Sequence, residues 1–259
     1  MSIKVIIHGG LGRMGQACIK AVMEDTELQL LNVIDRFVAA NTSISLPSGV
    51  NYFSNLLEAL TKERPQVMID FSIAAAAVPA IKTALENGVH VVSGTTGLTA
   101  EEINELGQTA AKQQVCFITA ANFAIGAVLM MSFAKKAATY LERAEIIEMH
   151  HDQKSDAPSG TALATAQNML IARPQGFVRP ADAQYAARGT DYQGIAIHAV
   201  RLPGYLARQE VHFGTTGQTL TITHNTITRD CFMPGVILAV KKALQHTGLL
   251  QGLENVLNL

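Results

Sequence analysis

Cysteine is scarce in this chain. Its 259 residues include three, Cys18, Cys116 and Cys231, far apart and with no C-x-x-C pair. An odd, scattered set excludes a disulfide framework and a thiolate zinc site, and it suits a reducing compartment. Surplus charge is missing as well: 20 basic residues face 21 acidic ones, for a net −1. There is no global basic field to attract nucleic acid or an acidic membrane, so any anion site must be local. Long apolar runs are also absent. The stretch FAIGAVLMMSFAKKAATY is apolar for roughly ten residues before Lys135 and Lys136, against the ~20 that a membrane span needs. The opening MSIKVIIHGG has too short an apolar run for a signal peptide. A soluble, cytoplasmic protein is expected, and there the sequon Asn41-Thr42-Ser43 carries no meaning. No internal repeat is apparent.

What is present is a compact globular composition, 48% apolar and 16% charged. The length allows one large domain or two moderate ones. In the first half IKVIIH (3–8), LQLLNVID (28–35), QVMIDFS (66–72), VHVVSG (89–94) and VCFITAA (115–121) read as buried strands. Between them GRMGQACIKAVME (12–24), AAAAVPAIKTALENG (stopping at Gly88) and TAEEINELGQTAAKQ have helical spacing. Apolar strands alternating with helices predict a parallel sheet covered on both faces. Near residue 123 the style changes. ERAEIIEMHH is strand-like, SGTALATAQNML is helical, and residues 174–195 form a long polar loop. IAIHAVRL, ARQEVHF and QTLTITHNTIT alternate with period two, the mark of an antiparallel or mixed sheet with one buried face. A final helix starts near Pro234.

The turn after the first strand, HGGLGRMG, sets Gly9, Gly12 and Gly15 in a G-x-x-G-x-x-G pattern, with Gly10, Leu11, Arg13 and Met14 between them. Glycines here permit a tight turn and close approach of a pyrophosphate, and the following helix offers free N–H groups. The pattern departs from strict G-x-G-x-x-G, and alone it describes any Gly-rich strand–helix turn. Its place between a first strand and a helix favours a dinucleotide. Asp35 and Arg36 end the second strand. A carboxylate there binds both ribose hydroxyls of NAD, whereas an arginine meets the 2′-phosphate of NADP, so NADH and NADPH both remain open. GTTG occurs twice. At 214–217 it sits between alternating strands and reads as a hairpin turn. At 94–97 it follows a parallel strand, at the edge where ligands bind, so Gly94, Thr95 and Thr96 are candidates for the nicotinamide side. Ala120, Ala121, Asn122 and Phe123 end the fifth strand in the same way.

The densest chemistry lies in HHDQKSDAPSGTAL, residues 150–163. Strand neighbours point to opposite faces, so His150 and His151 share a pocket only if the strand ends there, as the polar DQKSD suggests. Histidine exchanges protons near pH 7, and Lys154 adds a positive charge with three donors. Pro158 discourages helix before it, and Ser159 is a good N-cap. Ser159, Gly160 and Thr161 then open a helix whose free N–H groups suit a carboxylate or phosphate. Singly, each residue has a bland reading: a helix cap, or histidines on the surface. Two adjacent histidines with no nearby thiolate make a poor metal site, so no metal is expected. His8, His90, His198, His212, His224 and His246 are scattered and read as structural or solvated, with His8 at the mouth of the Gly loop the one to watch.

Taken together, these stretches resemble the dihydrodipicolinate reductase family over essentially the whole length. GGLGRMG is similar to its nucleotide loop, DFS (70–72, with Phe71) to its third-strand end, GTTG to its nicotinamide loop and AANFAIG to its interdomain hinge. EMHHDQKSDAPSGTAL is similar to its signature, E-x-H-H-x-x-K-x-D-x-P-S-G-T-A. The resemblance implies His150 as general acid/base, Lys154 as proton donor, and His151, Gly160 and Thr161, with Ser159, as holders of a small cyclic dicarboxylate. It implies NADH or NADPH as cofactor and a homotetramer formed by the second domain. The expected fold class is α/β: a Rossmann-type parallel-sheet domain at 1–122, rejoined by a C-terminal helix 233–259, and a smaller α+β domain with an open mixed sheet at 123–232. One element departs. Many members carry R-G-G-G-x-x-G-E-H, whereas this chain reads RLPGYLARQEVHFG, with Arg201 and Gly204 kept and Ala207-Arg208-Gln209 in place of Gly-Glu-His. Two other readings compete. A dehydrogenase for an amino-acid semialdehyde has no need of the His pair and KSDAPSGT. A non-catalytic dinucleotide sensor has no need of His150 and Lys154, and normally carries a partner-binding segment.

Overall fold

The computed structural model describes residues 2–36, 49–178 and 186–259. The sequon at Asn41 and part of the expected 174–195 loop lie outside the described residues. The chain divides into two compact units, one running to Ile125 and including Arg229–Leu259, the other Gly126–Thr228.

The first unit begins with β1 (Ile3–His8), α1 (Arg13–Glu24), β2 (Leu28–Ile34), β3 (Asn51–Phe53), α2 (Leu56–Lys62), β4 (Val67–Asp70), α3 (Ala74–Glu86), β5 (His90–Ser93), α4 (Ala100–Lys112) and β6 (Cys116–Thr119). The strands are apolar throughout because both faces are covered. Val5, Ile6 and Ile7 of β1 and Val67, Met68 and Ile69 of β4 are wholly buried. Each large side chain among them stabilises the unit by roughly 1.5–3 kcal/mol. Helix α1 turns Gly15, Cys18, Ile19 and Val22 inward at helical spacing. Helix α4 opens with a full capping box between Thr99 and Glu102.

The second unit follows with α5 (Ile125–Ala138), β7 (Arg143–His150), α6 (Gly160–Ala172), β8 (Thr190–Tyr192), β9 (Ile195–Arg201), β10 (Ala207–Thr215) and β11 (Gln218–Thr226). Its sheet runs β11-β10-β7-β9-β8. It is mixed: β7 and β9 are parallel, the other pairs antiparallel. Alternation buries Ile146, Val211, Phe213, Ile195 and Ile197 against Met130 and Ala134 of α5 and Ala162, Ala166 and Met169 of α6. The second GTTG is a hairpin turn, with Thr215 paired to Gln218 and Gly217 at φ +81. The polar 174–195 stretch is not loop throughout. It carries a 3₁₀ turn at Ala186–Arg188 and the edge strand β8.

The chain then returns to the first unit through α7 (Met233–Ala243), β12 (Gly248–Gln251) and α8 (Leu253–Leu257). Residues 233–259 are therefore not one helix. Gly248, at φ +79, lies where the chain turns from α7 into β12, which pairs in parallel with β6. The sheet has seven strands, β12-β6-β5-β4-β1-β2-β3, against the five legible in sequence. The two additional strands are three and four residues long, too short to display a period. Strand order reverses between β1 and β4, so the loops after these strands form the crevice where such sheets bind ligands. No helix among the described residues is long and apolar enough to cross a membrane.

Candidate active site

In the first unit the Gly loop is built for close approach. Gly9 adopts φ +78, and a Cβ there would lie 2.6 Å from the Phe71 carbonyl oxygen. A Cβ on Gly15 would lie 2.2 Å from the Gly9 carbonyl oxygen, so the first turn of α1 presses directly on the loop. Gly12 is the N-cap of α1 and supplies no side-chain acceptor. The first-turn N–H groups and the positive end of the helix dipole thus suit a phosphate, and the residues present fit a dinucleotide. Asp35 accepts the Leu11 N–H at 3.1 Å, which pins the loop to the end of β2, and exposed Arg36 follows it.

Beside the loop lies a polar knot that sequence reading missed. Asp70, at the end of β4, is wholly buried. Its carboxylate contacts His8 Nδ1 at 2.8 Å and accepts from the hydroxyls of Ser72, Ser93 and Thr95 at 2.7 Å each. Burial pushes the Asp70 pKa up, but the His8 contact and the Ser72 and Ser93 hydroxyls outweigh it and hold it below the ordinary value. The Thr95 hydroxyl also accepts the Ser72 N–H at 2.9 Å, so this side chain ties two loops together from inside. Thr96 is exposed. Gly94 has a steric duty: a Cβ there would sit 2.1 Å from the Phe71 ring. That ring stacks edge-on against Phe123, with centroids 5.8 Å apart. Ala120 and Phe123 are buried, Ala121 is exposed, and Asn122 accepts the Ala124 N–H at the start of α5. His8 is thus a structural partner of Asp70.

In the second unit β7 ends at His150, as the polar DQKSD implied, and His151 is the first residue beyond it. Two residues back on the same face, Glu148 is wholly buried. It accepts from Arg201 through Nη1 at 2.9 Å and Nη2 at 2.7 Å, and from the Ser159 N–H at 3.1 Å. His150 Nδ1 lies 2.5 Å from it. Burial lowers the His150 pKa below the ordinary histidine value; Lys154 and Arg201 push the same way, and Glu148 opposes them. The ring is therefore mainly neutral at pH 7. Lys154 Nζ is held by both oxygens of Asp156, at 2.6 and 2.8 Å.

Ser159 caps α6, accepting the Ala162 N–H at 3.3 Å, and its side chain is buried in that task. Gly160 is exposed, and a Cβ there would meet nothing within 4 Å. The helix N-terminus is thus open at Gly160 and half-buried Thr161, where a carboxylate is best received. Gln209, one of the departing residues, is buried and donates to the Thr165 hydroxyl of α6 at 2.8 Å. Arg208 pairs with Glu210. Among the described residues no group of three or more His, Cys, Asp or Glu side chains is placed to hold a metal. Glu148 and Asp156 stand in the signature and Arg201 in the loop motif, but the sequence assigned none of them a role. The period-two spacing of Glu148 and His150 was the available signal.

Family models described as "Dihydrodipicolinate reductase, N-terminus" and "C-terminus" match residues 3–123 and 126–257. A 4-hydroxy-tetrahydrodipicolinate reductase from Dehalococcoides mccartyi is 45% identical, with 99% of each chain covered. The enzyme of the same name from Enterococcus faecalis is 46% identical over 98% of this chain and 100% of its own. A dipicolinate-bound dihydrodipicolinate reductase from Paenisporosarcina sp. TG-14 superposes with TM-score 0.90 at 40% identity, covering 98% of this chain and 99% of that one. A myo-inositol dehydrogenase from Corynebacterium glutamicum, 15% identical with TM-score 0.66, shares the fold alone.

Proposed function

The chain belongs to the dihydrodipicolinate reductase family, an NAD(P)H-dependent group of oxidoreductases in lysine and diaminopimelate biosynthesis, and on that premise we propose that it reduces 4-hydroxy-tetrahydrodipicolinate (dihydrodipicolinate) to tetrahydrodipicolinate. The observation that carries this reading is the one stretch 150–161. It brings together a histidine braced by a buried carboxylate, a lysine, and an open helix N-terminus. Cation, proton carrier and anion seat are what a small cyclic dicarboxylate needs.

Loss of the 4-hydroxyl as water gives the conjugated dihydro form, and reduction then adds one hydride and one proton across a carbon–carbon double bond. The nicotinamide cofactor, when bound, supplies the hydride. Lys154 donates the proton to the neighbouring ring carbon, and His150 acts as the general acid/base that exchanges protons with the site. His151, Gly160 and Thr161, with the helix N-terminus that Ser159 caps, receive the carboxylates. The fixed positive charge of Lys154 and the helix dipole lower the cost of the negative charge that develops as hydride arrives. The Gly loop from Gly9 to Gly15 cradles the pyrophosphate. Asp35 and Arg36 face the adenosine ribose, a carboxylate suited to NADH beside a guanidinium suited to NADPH, so either cofactor is used. Residues 1–122, with 233–259, serve the nucleotide and 123–232 the substrate, in a cytoplasmic homotetramer built through the substrate unit.

The test is a coupled assay in which a synthase makes the unstable substrate in place and the oxidation of NADH and NADPH is followed in parallel. Substrate-dependent oxidation of at least one cofactor is expected. No turnover with either sinks the proposal.

A further inference from the structure

We propose that Glu148 is the positioning residue of this site: it holds His150 with the proton on Nδ1, so that Nε2 is the nitrogen that exchanges protons, and Arg201 locks Glu148 in that task. The inference rests on the reading of His150 as the acid/base group.

A wholly buried carboxylate is costly unless every lone pair is used. Glu148 meets that condition with two contacts on each oxygen. Oε1 accepts from Arg201 Nη2 and the Ser159 N–H; Oε2 accepts from Arg201 Nη1 and faces His150 Nδ1. An ionised carboxylate only accepts, so the hydrogen in the 2.5 Å contact belongs to Nδ1. The neutral ring then carries its lone pair on Nε2, and the charged ring carries an exchangeable Nε2–H. The Arg201–Glu148 pair alone would tie β9 to β7, where His150 lies directly opposite Arg201. A brace serving the fold has no need of the third partner.

Arg201 extends the lock. Its Nη2 also donates to the Asp156 carbonyl at 2.7 Å, and Asp156 holds Lys154. One guanidinium thus fixes the orienting carboxylate and the loop that carries the lysine. A similar trio, Glu210 with Arg208 and His212, lies within β10. There the histidine is 38% exposed and the glutamate 16%, against 15% and 0% for His150 and Glu148. Of the two, the Glu148 trio alone is sealed on the carboxylate side and reaches a loop of the site.

The charged groups that act on His150 come from three segments: Glu148 on β7, Arg201 on β9 and Lys154 in the following loop, itself paired with Asp156. Burial, Lys154 and Arg201 all drive the proton off His150, and Glu148 opposes them. Neutralising Glu148 therefore shifts the His150 titration to lower pH.

The test compares wild type, Glu148→Gln and Glu148→Asp by ¹⁵N NMR of the histidine rings and by kcat and KM across pH 5–9. In wild type near neutral pH, His150 is expected as the Nδ1–H tautomer; an Nε2–H tautomer overturns the proposal even if no variant folds. In Glu148→Gln the amide can donate to Nδ1 and reverse the tautomer. A fall in kcat of about 10²- to 10⁴-fold is expected, with KM changed by less than about threefold and the acidic limb of the pH profile moved down. Glu148→Asp, which keeps the charge, is expected to recover at least tenfold of that loss. A folded Glu148→Gln protein with the wild-type tautomer and kcat overturns the inference. A wild type inactive on the proposed substrate overturns the function instead, while the NMR result still decides the tautomer.

Discussion

Asp70→Asn tests whether the polar knot of the nucleotide unit is a structural device. The substitution keeps the shape of the side chain and removes its charge. Four partners converge on this carboxylate, from His8, Ser72, Ser93 and Thr95. A hydrogen bond to a charged group contributes about 1.5–3 kcal/mol. The asparagine oxygen still accepts, and serine and threonine hydroxyls rotate to accept from its amide, so only part of the total is lost. A loss of about 3 kcal/mol is expected, centred on the His8 contact and on the charge that the four partners share. For a unit of this size that lowers Tm by roughly 6–12 °C. The pH dependence has a definite sign. The folded Asp70 pKa lies below its unfolded value, so its contribution is complete above about pH 4 and is lost as pH falls through the folded pKa. Thermal unfolding followed by circular dichroism at pH 7 and at pH 3.5 reads both effects. The Tm gap between wild type and variant is expected to be full at pH 7 and smaller in acid. Equal Tm values at pH 7, or a gap that widens in acid, would refute the reasoning.

Gly15→Ala drives a methyl group to 2.2 Å from the Gly9 carbonyl oxygen, so the Gly loop must move; cofactor binding measured by fluorescence is expected to weaken at least tenfold. His150→Gln lowers kcat by about 10²- to 10⁴-fold with a modest change in KM, because proton transfer belongs to the transition state; an unchanged kcat removes His150 from the chemistry. Thr161→Ala mainly raises KM for the dicarboxylate, and an unmoved KM means that the carboxylates bind elsewhere. Arg36→Ala weakens NADPH more than NADH; equal losses with the two cofactors contradict a 2′-phosphate role.

Much of this architecture is legible without coordinates. Long apolar strands and helices with a clear period locate β1, α1, β2, β4, α3, β5, α4 and β6, because continuous burial leaves a continuous apolar record. β3 and β12 leave none, being short, and β12 follows closely on α7, whose helical pattern masks it. The chemistry of 150–161 is readable because its residues are neighbours in sequence. Glu148 and Arg201 stand in quoted motifs, but their role does not read from them because it lies in a pairing across 53 positions. Asp70 is similar: His8 is 62 residues away and Thr95 is 25. Thr95 reads as a ligand contact, and that its hydroxyl also closes the knot is visible only in the fold.

The most direct test of the chemistry follows hydrogen from cofactor to product. Substrate is reduced in ordinary water with NADH or NADPH deuterated at either face of nicotinamide C4, and the product is read by mass spectrometry and NMR. One of the two faces is expected to deliver a single deuterium to one ring carbon, while the adjacent carbon takes ordinary hydrogen from a protonated group of the site. Product without deuterium from either face would contradict hydride transfer to this ring, and with it the proposed reduction.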